Sequence, residues 1–279
     1  MRIGIVQPTT GIDPAAEAAL LTKSIAGLAA QGAQIVFTPE MSNLVDRNRS
    51  RAAATMRSES DDPVLQAVRA AARLHGIWVH LGSVALTTEI PLAANRGFLI
   101  DDTGTIRAQY DKIHLFDVSL PGGETYRESA AYRPGTQAVL AATPWAALGM
   151  TICYDLRFPS LHAALARAGA QIIAVPAAFT HTTGRAHWHV LLRARAIETG
   201  CFIVAAAQTG THADGRTTFG HSLVVAPWGD VLLDMGDAPG TAICDIDLAA
   251  VAEARGRVPS LEHGRAFTLV SSITAEQAA

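Results

Sequence analysis

The sequence is short of cysteine, and what it has is not arranged to pair. Three cysteines in 279 residues (Cys153, Cys201 and Cys244) show no paired spacing. That excludes a disulfide framework and suits a reducing compartment. Charge is scarce as well: 17% of residues are charged and the net charge is −3, with no basic block. Nucleic acid and anionic membrane surfaces are therefore poor partners. No apolar run reaches the ~18 residues of a membrane span. The chain starts directly in the strand-like Arg2-Ile3-Gly4-Ile5-Val6, which leaves no room for a signal peptide. Together these absences point to a cytoplasmic protein. There is no Gly-x-Gly-x-x-Gly, no phosphate loop and no Gly-x-Ser-x-Gly, which argues against nucleotide binding and a serine-hydrolase elbow. No Cys-x-x-Cys or His-Glu-x-x-His occurs either. The densest histidine cluster, His187-Trp188-His189, places two imidazoles on different sides of a helix. No metal is expected.

What is present is apolar, 49% of residues, in alternating helical and strand-like runs. Helices are predicted over 14–30, 62–74, 161–168, 185–199 and 248–253. Strands are predicted over 3–6, 34–37, 77–81 with an extension to 86, 138–142, 149–152, 202–207, 221–226, 231–233 and 241–246. A hairpin over 95–110 turns at Asp102-Thr103-Gly104. Residues 118–136, with Pro121-Gly122-Gly123 near one end, read as a long irregular loop, and such loops are often functional. The segment Gly32–Pro39 is echoed by Gly169–Pro176: helix, Gly-Ala-Gln, apolar strand, proline. This suggests two α/β halves within one domain over 1–270, with 271–279 a frayed tail.

Three of the strands end on chemistry. Glu40 follows Phe37-Thr38-Pro39. Lys112 closes the second hairpin strand among apolar neighbours. Cys153 ends the run Gly149-Met150-Thr151-Ile152, just before Phe158-Pro159 opens a helix. Carboxyl ends of strands in a parallel-type sheet can converge on one rim, where open α/β proteins place their sites. A cysteine nucleophile needs a base and a place for negative charge. His114, His181, or a carboxylate beside a lysine can fill that need.

These three stretches resemble the three signatures of the nitrilase-like carbon–nitrogen hydrolase superfamily: Phe37-Thr38-Pro39-Glu40, Tyr110-Asp111-Lys112-Ile113-His114-Leu115-Phe116-Asp117, and Cys153-Tyr154-Asp155-Leu156-Arg157-Phe158-Pro159. Order and spacing match, and the similarity runs from about residue 2 to about residue 267. Within the superfamily the chain is most similar to the Nit branch of amidases, through His187-Trp188, Leu191–Thr199, Ala205-Ala206-Ala207-Gln208 and Gly220-His221-Ser222. That branch includes deaminated glutathione amidases and the ω-amidases of 2-oxo acid amides.

The resemblance implies a four-layer αββα sandwich, a homodimer formed through helices next to the site, and a cofactor-independent Cys-Glu-Lys amidase. Glu40 would be the general base, Lys112 the electrophilic or proton-donating residue, and Cys153 the nucleophile that forms a thioester. Glu128 would be the second glutamate beside the substrate. Tyr154, Arg157 and Phe179 would meet the substrate, with Arg157 on a carboxylate. Tyr154-Asp155 and Arg157-Phe158-Pro159 favour an amidase over a nitrilase. The expected substrate is a small carboxylate-bearing amide, cleaved to acid plus ammonia. The alternatives are a nitrilase, an N-carbamoyl amino acid amidohydrolase, or a non-catalytic interaction protein on the same fold. One departure stands out: many relatives carry an acid after the His-Trp pair, where this chain has His189.

Overall fold

Two six-stranded sheets form the middle of the molecule, and both follow one plan. A computed structural model describes residues 1–120 and 123–270. The chain enters through β1 (Arg2–Gln7) and crosses by α1 (Pro14–Ala30) to β2 (Ile35–Phe37). It then crosses by α2 (Arg49–Thr55) and α3 (Pro63–His75) to β3 (Trp78–Leu86), and turns back through β4 (Ala94–Ile100) and β5 (Ile106–Asp111). A small hairpin, β6 (Asp117–Ser119) and β7 (Thr125–Arg127), and a 3-10 turn at Glu128–Ala130 lead into the second half. That half runs β8 (Val139–Ala142), β9 (Ala147–Met150), α4 (Pro159–Arg167), β10 (Ile172–Ala174), α5 (His181–Thr199) and β11 (Phe202–Ala205). A second hairpin follows, β12 (Thr209–Thr211) and β13 (Thr217–Phe219). The chain ends in β14 (Leu223–Val225), β15 (Val231–Asp234), β16 (Gly240–Asp245) and α6 (Ala249–Arg257).

The sheets are ordered β16-β1-β2-β3-β4-β5 and β8-β9-β10-β11-β14-β15. In each, three parallel strands (β1–β3 or β9–β11) are flanked by antiparallel ones. The Gly-Ala-Gln echo falls on β2 and β10, the middle strand of each parallel trio. The repeat in the sequence is thus a repeat of topology.

Period-two alternation sorts the layers. In β1 and β2, Ile3, Ile5, Ile35 and Phe37 join the apolar core that also holds Leu148, Met150 and Ile173 of the facing sheet. Val6 and Val36 turn the other way, against Leu21, Ile25, Leu28 and Val68 of α1 and α3. On the far side Leu165, Trp188 and Leu192 of α4 and α5 cover the second sheet. The order helix, sheet, sheet, helix is the sandwich the resemblance implied. Capping follows the local sequence: the Asp13 and Asp62 side chains accept N–H bonds at the starts of α1 and α3, and each helix opens on proline.

Several elements differ from expectation. The stretch read as irregular contains the β6–β7 hairpin, and α2 and the β12–β13 hairpin lie in segments for which no element is predicted. Helix α5 begins at His181 rather than 185, because Thr180 caps it through Thr183 N–H at 3.3 Å. Strand β14 starts at 223, two residues late, because His221 sits at φ +52°. Pro121-Gly122 and the 271–279 tail lie outside the described residues. Among the described residues no helix is long and apolar enough to cross a membrane.

Three buried histidines, His80, His162 and His212, are held below their usual pKa by burial and tie stability to pH. His80 packs on Phe37 between the sheets, and His162 is on the buried face of α4. Burial pushes His80 down to about 3 and His162 down to about 4. An unfolded histidine titrates near 6.5. Below that pH the unfolded chain takes up protons that the folded one refuses, so stability falls until the folded pKa values are reached. At pH 5 the loss is about 2 kcal/mol for His80 and again for His162. The urea midpoint is expected to drop from pH 7 to pH 5, and His162→Gln to remove about 2 kcal/mol of the loss behind that drop. A midpoint independent of pH in this range would contradict it.

Candidate active site

Strand direction brings the three strand ends together. β2 runs parallel to β3, β3 antiparallel to β4, and β4 antiparallel to β5. So β5 runs with β2, and Glu40 and Lys112 leave the first sheet on the same rim. β9 and β10 deliver Cys153 and Ala178 from the second sheet to meet them. Gly82 in β3 allows the two halves to close here. A Cβ on it would lie 2.1 Å from the Thr38 carbonyl oxygen, 2.4 Å from Pro176 and 2.6 Å from the Pro39 carbonyl oxygen.

The cluster is dry. Lys112 is 2% exposed, Glu40 4% and Cys153 7%. The Lys112 ammonium donates to Glu40 Oε1 at 2.8 Å and to Glu128 Oε2 and Oε1 at 2.9 and 3.1 Å. Glu40 Oε2 accepts the Ala178 N–H at 2.9 Å. Glu128 Oε2 accepts the Phe116 N–H at 2.7 Å. Asn95 bridges the two carboxylates, donating to Glu40 at 2.9 Å and to Glu128 at 3.2 Å. Sequence reasoning missed Asn95. The signal was a polar amide in a strand with an apolar stretch, Phe98-Leu99-Ile100, where a buried amide must find partners.

Two carboxylates and one ammonium leave a surplus negative charge beside the thiol. For Glu40 burial is the largest influence and opposes ionisation. The Lys112 charge and hydrogen bond, with help from Cys153 and Ala178, outweigh it and hold the carboxyl below its usual range. Lys112 is held well above its usual value: burial again opposes, and Glu128 and Glu40 prevail. Burial, then the Glu40 charge, push the Cys153 thiol well above its usual value, against the pull of Lys112. The resting cluster is therefore carboxylate, ammonium and neutral thiol. Such a thiol reacts only when a base takes its proton in the step itself.

Cys153 sits at φ +48°, in the left-handed region, at the first position of a 3-10 turn over Cys153–Arg157. A non-glycine residue held there is strained, and such strain marks sites the fold over-determines. What holds it is Asp155. Its Oδ2 accepts Ile152 N–H at 2.8 Å and the Tyr110 hydroxyl at 2.7 Å. Its Oδ1 accepts His114 N–H at 3.1 Å and meets His114 Nδ1 at 2.6 Å. One carboxylate thus ties the Lys112 strand to the Cys153 turn. His114 is committed to it and stacks on Phe158 at 3.5 Å. Arg195 of α5 donates to the Leu156 carbonyl at 2.9 Å and holds the turn from the other side. Gln208 reaches the Glu40 carbonyl at 3.0 Å. Trp188 donates to the His221 carbonyl at 2.8 Å.

A cavity of ≈ 440 Å³ opens over the cluster, with Glu40, Lys112, Glu128 and Cys153 in its wall. Tyr154 and Phe179 line it as well. Arg157 does not. The 3-10 turn carries its guanidinium away, over the Phe179 ring at 5.4 Å and to His187 Nδ1 at 3.2 Å. Four other arginines reach the cavity instead: Arg47, Arg49, Arg127 and Arg216. Arg216 pairs with Asp214 at 3.1 Å, but its buried Nε has no hydrogen-bond partner among the described residues. Arg49 and Arg127 have no carboxylate within 4 Å among the described residues.

Comparison with known proteins was made on the whole chain. A sequence model of the family described as carbon-nitrogen hydrolase matches residues 2–256. A deaminated glutathione amidase from Yersinia enterocolitica is 44% identical over 237 residues, 84% of this chain and 82% of that one. The crystal structure of the Caenorhabditis elegans nitrilase and fragile histidine triad fusion protein superposes with a TM-score of 0.87 at 36% identity, covering 95% of this chain and 65% of that one. An amidase from Nesterenkonia sp. AN1, solved as a glutamate-to-glutamine variant with acrylamide added at its active-site cysteine, gives 0.78 at 29% identity, covering 93% of this chain and 98% of that one.

Proposed function

The chain belongs to the carbon–nitrogen hydrolase family, and on that premise we propose that its cavity is a thiol amidase site with Cys153 as nucleophile, Glu40 as general base and Lys112 as the counter-charge for the oxyanion. The observation that carries the assignment is the position of Glu40, which touches Lys112 and lies against the Cys153 thiol in the dry wall of a cavity. Glu40 takes the thiol proton as sulfur attacks the amide carbon. The oxyanion is met by the Lys112 ammonium and by the Tyr154 N–H, among the first amides of the 3-10 turn, where helix starts leave donors free. Each such donor is worth about 2.7–4 kcal/mol. Glu40 returns the proton to the leaving nitrogen, the carbon–nitrogen bond breaks, and a thioester remains on Cys153. Water, deprotonated by Glu40, attacks the thioester; the acid leaves and the thiol regains its proton. Glu128 and Asn95 hold Lys112 and Glu40 in place throughout.

The substrate is a small amide that carries a carboxylate. Similarity to deaminated glutathione amidases supports this class, and so do the arginines at the cavity. The carboxylate role moves from Arg157 to Arg49 and Arg127, which have no carboxylate within 4 Å among the described residues, with Arg216 also at the cavity. A 2-oxo acid ω-amide would release ammonia. Deaminated glutathione has no primary amide, so its cleavage would release an amine. Acid formation from 2-oxoglutaramate, 2-oxosuccinamate, deaminated glutathione, glutamine, a nitrile and an N-carbamoyl amino acid, run side by side, tests the class. Turnover of the nitrile or the carbamoyl compound alone would overturn it. Arg49→Ala is expected to raise KM for the preferred acid-bearing amide about tenfold, with kcat and the KM of a neutral amide little changed.

The three cysteines, all free and buried, suit a reducing compartment, the cytoplasm. One domain over 1–270 is the simplest division, since a shared core joins the sheets. A homodimer through α5 fits its exposed Val190 and Ile197, two turns apart on one face.

A further inference from the structure

His189 of α5, His221 before β14 and Asp234 at the end of β15 lie outside the cavity and take no part in the amide chemistry. We propose that they form a binding site for one divalent transition-metal ion of the zinc or cobalt kind. His189 Nε2 is 3.0 Å from Asp234 Oδ2, and His221 Nδ1 is 2.9 Å from Asp234 Oδ1. One ligand atom from each residue lies within 4.8 Å of the other two. On a tetrahedral zinc with bonds of about 2.0–2.1 Å, neighbouring ligand atoms are about 3.3 Å apart. The three groups are thus within a small side-chain adjustment of a common ion. Two imidazoles and one carboxylate suit zinc, cobalt or nickel rather than calcium or magnesium. Three protein ligands leave the fourth position to water.

The imidazoles are held for this task. Phe219 stacks on His221 at 4.4 Å and meets the edge of His189 at 6.1 Å. The His221 backbone is fixed at φ +52° by its N–H on the Gly236 carbonyl and its carbonyl under Trp188 Nε1. Gly236 N–H binds Asp234 Oδ1 at 2.9 Å and orients the carboxylate. Second partners of this kind fix the ligands of metal sites. The ion would take the ring nitrogens that now meet Asp234, and each neutral imidazole would then carry its one proton on the other ring nitrogen. No spacing in the sequence announces the site, because its ligands come from a helix, a turn and a strand. The bound ion clasps α5 to the β14–β15 hairpin.

The test is titration of tag-free, chelator-treated full-length protein with Co2+ and with Zn2+, read by visible absorption and calorimetry, beside His189→Ala and Asp234→Asn. The expected result is one saturable ion per chain, a raised melting temperature in its presence, and affinity weakened more than about 100-fold in both variants. The untreated folding of each variant is checked by its amide hydrolysis, which the substitutions should leave unchanged. No saturable binding, or binding that survives both substitutions and so belongs to the Cys153 thiol or another group, overturns the proposal.

Discussion

Cys153→Ala is expected to lower kcat/KM for amide hydrolysis by at least about 10^4-fold while leaving the fold intact. The substitution removes one sulfur atom and keeps the Cβ, so the turn held by Asp155 and Arg195 does not lose its supports. No other residue at the cavity can replace the sulfur. Cys201 is fully buried, with its thiol on the Ala170 carbonyl at 3.2 Å, and Cys244 is in the outer strand β16. Cys153→Ser should recover little. The neutral thiol already needs Glu40 to lose its proton, and a hydroxyl holds its proton far more tightly. A haloacetamide should label Cys153 in preference to Cys201 and Cys244, and Glu40→Gln should slow that labelling. Activity of the alanine variant above about 1% of the parent would contradict the account.

Lys112→Met should damage stability and catalysis together, and the two losses can be separated. Lys112 is the only cation touching Glu40 and Glu128 among the described residues. Without it two carboxylates face each other in a dry site, and breaking such a buried arrangement costs about 3–5 kcal/mol. The variant's carboxyls are then raised above their unfolded values, so the penalty is small below about pH 4.5 and grows as pH rises. In the parent the sign is opposite. Glu40 is held below its usual range, so its contribution is present above the unfolded pKa and is lost as pH falls through the folded value. The deficit of Lys112→Met in urea should therefore be larger at pH 7 than at pH 5. Adding Glu128→Gln should restore much of the stability and none of the rate. The rate loss, about 10²–10³-fold in kcat, comes from the missing oxyanion partner. Full recovery of activity in the double variant would show that Lys112 serves only to hold the carboxylates.

What could be read from the chain was local. Glu40 and Cys153 each follow an apolar run, and Lys112 closes the second strand of a hairpin, so their place at strand ends was legible. The direction of β5, two reversals from β3, brings Lys112 to the Glu40 rim, and the hairpin signal at Asp102-Thr103-Gly104 foretold it. Contacts made across the sandwich were not legible. Asn95 and Asp155 matter because of partners 33 to 55 positions away, and nothing beside them in sequence says so. Arg157 shows the converse. It is four residues from Cys153, yet a 3-10 turn rotates it out of the cavity, and Arg49 and Arg127 arrive from α2 and β7 instead. The first turn of α5 was hidden because Thr182, Thr183 and Gly184 are weak helix formers. Gly184 is there for packing: a Cβ on it would lie 2.3 Å from the Phe219 ring.

The most direct measurement traps the intermediate. Enzyme is mixed with saturating amide, quenched in acid within one turnover, and mapped by mass spectrometry after digestion. The expected result is the acyl group of the substrate on Cys153 alone, absent from Cys153→Ala and decaying at the rate of product release. Steady turnover with no acyl group on Cys153, or an acyl group on another residue, would contradict the thiol mechanism.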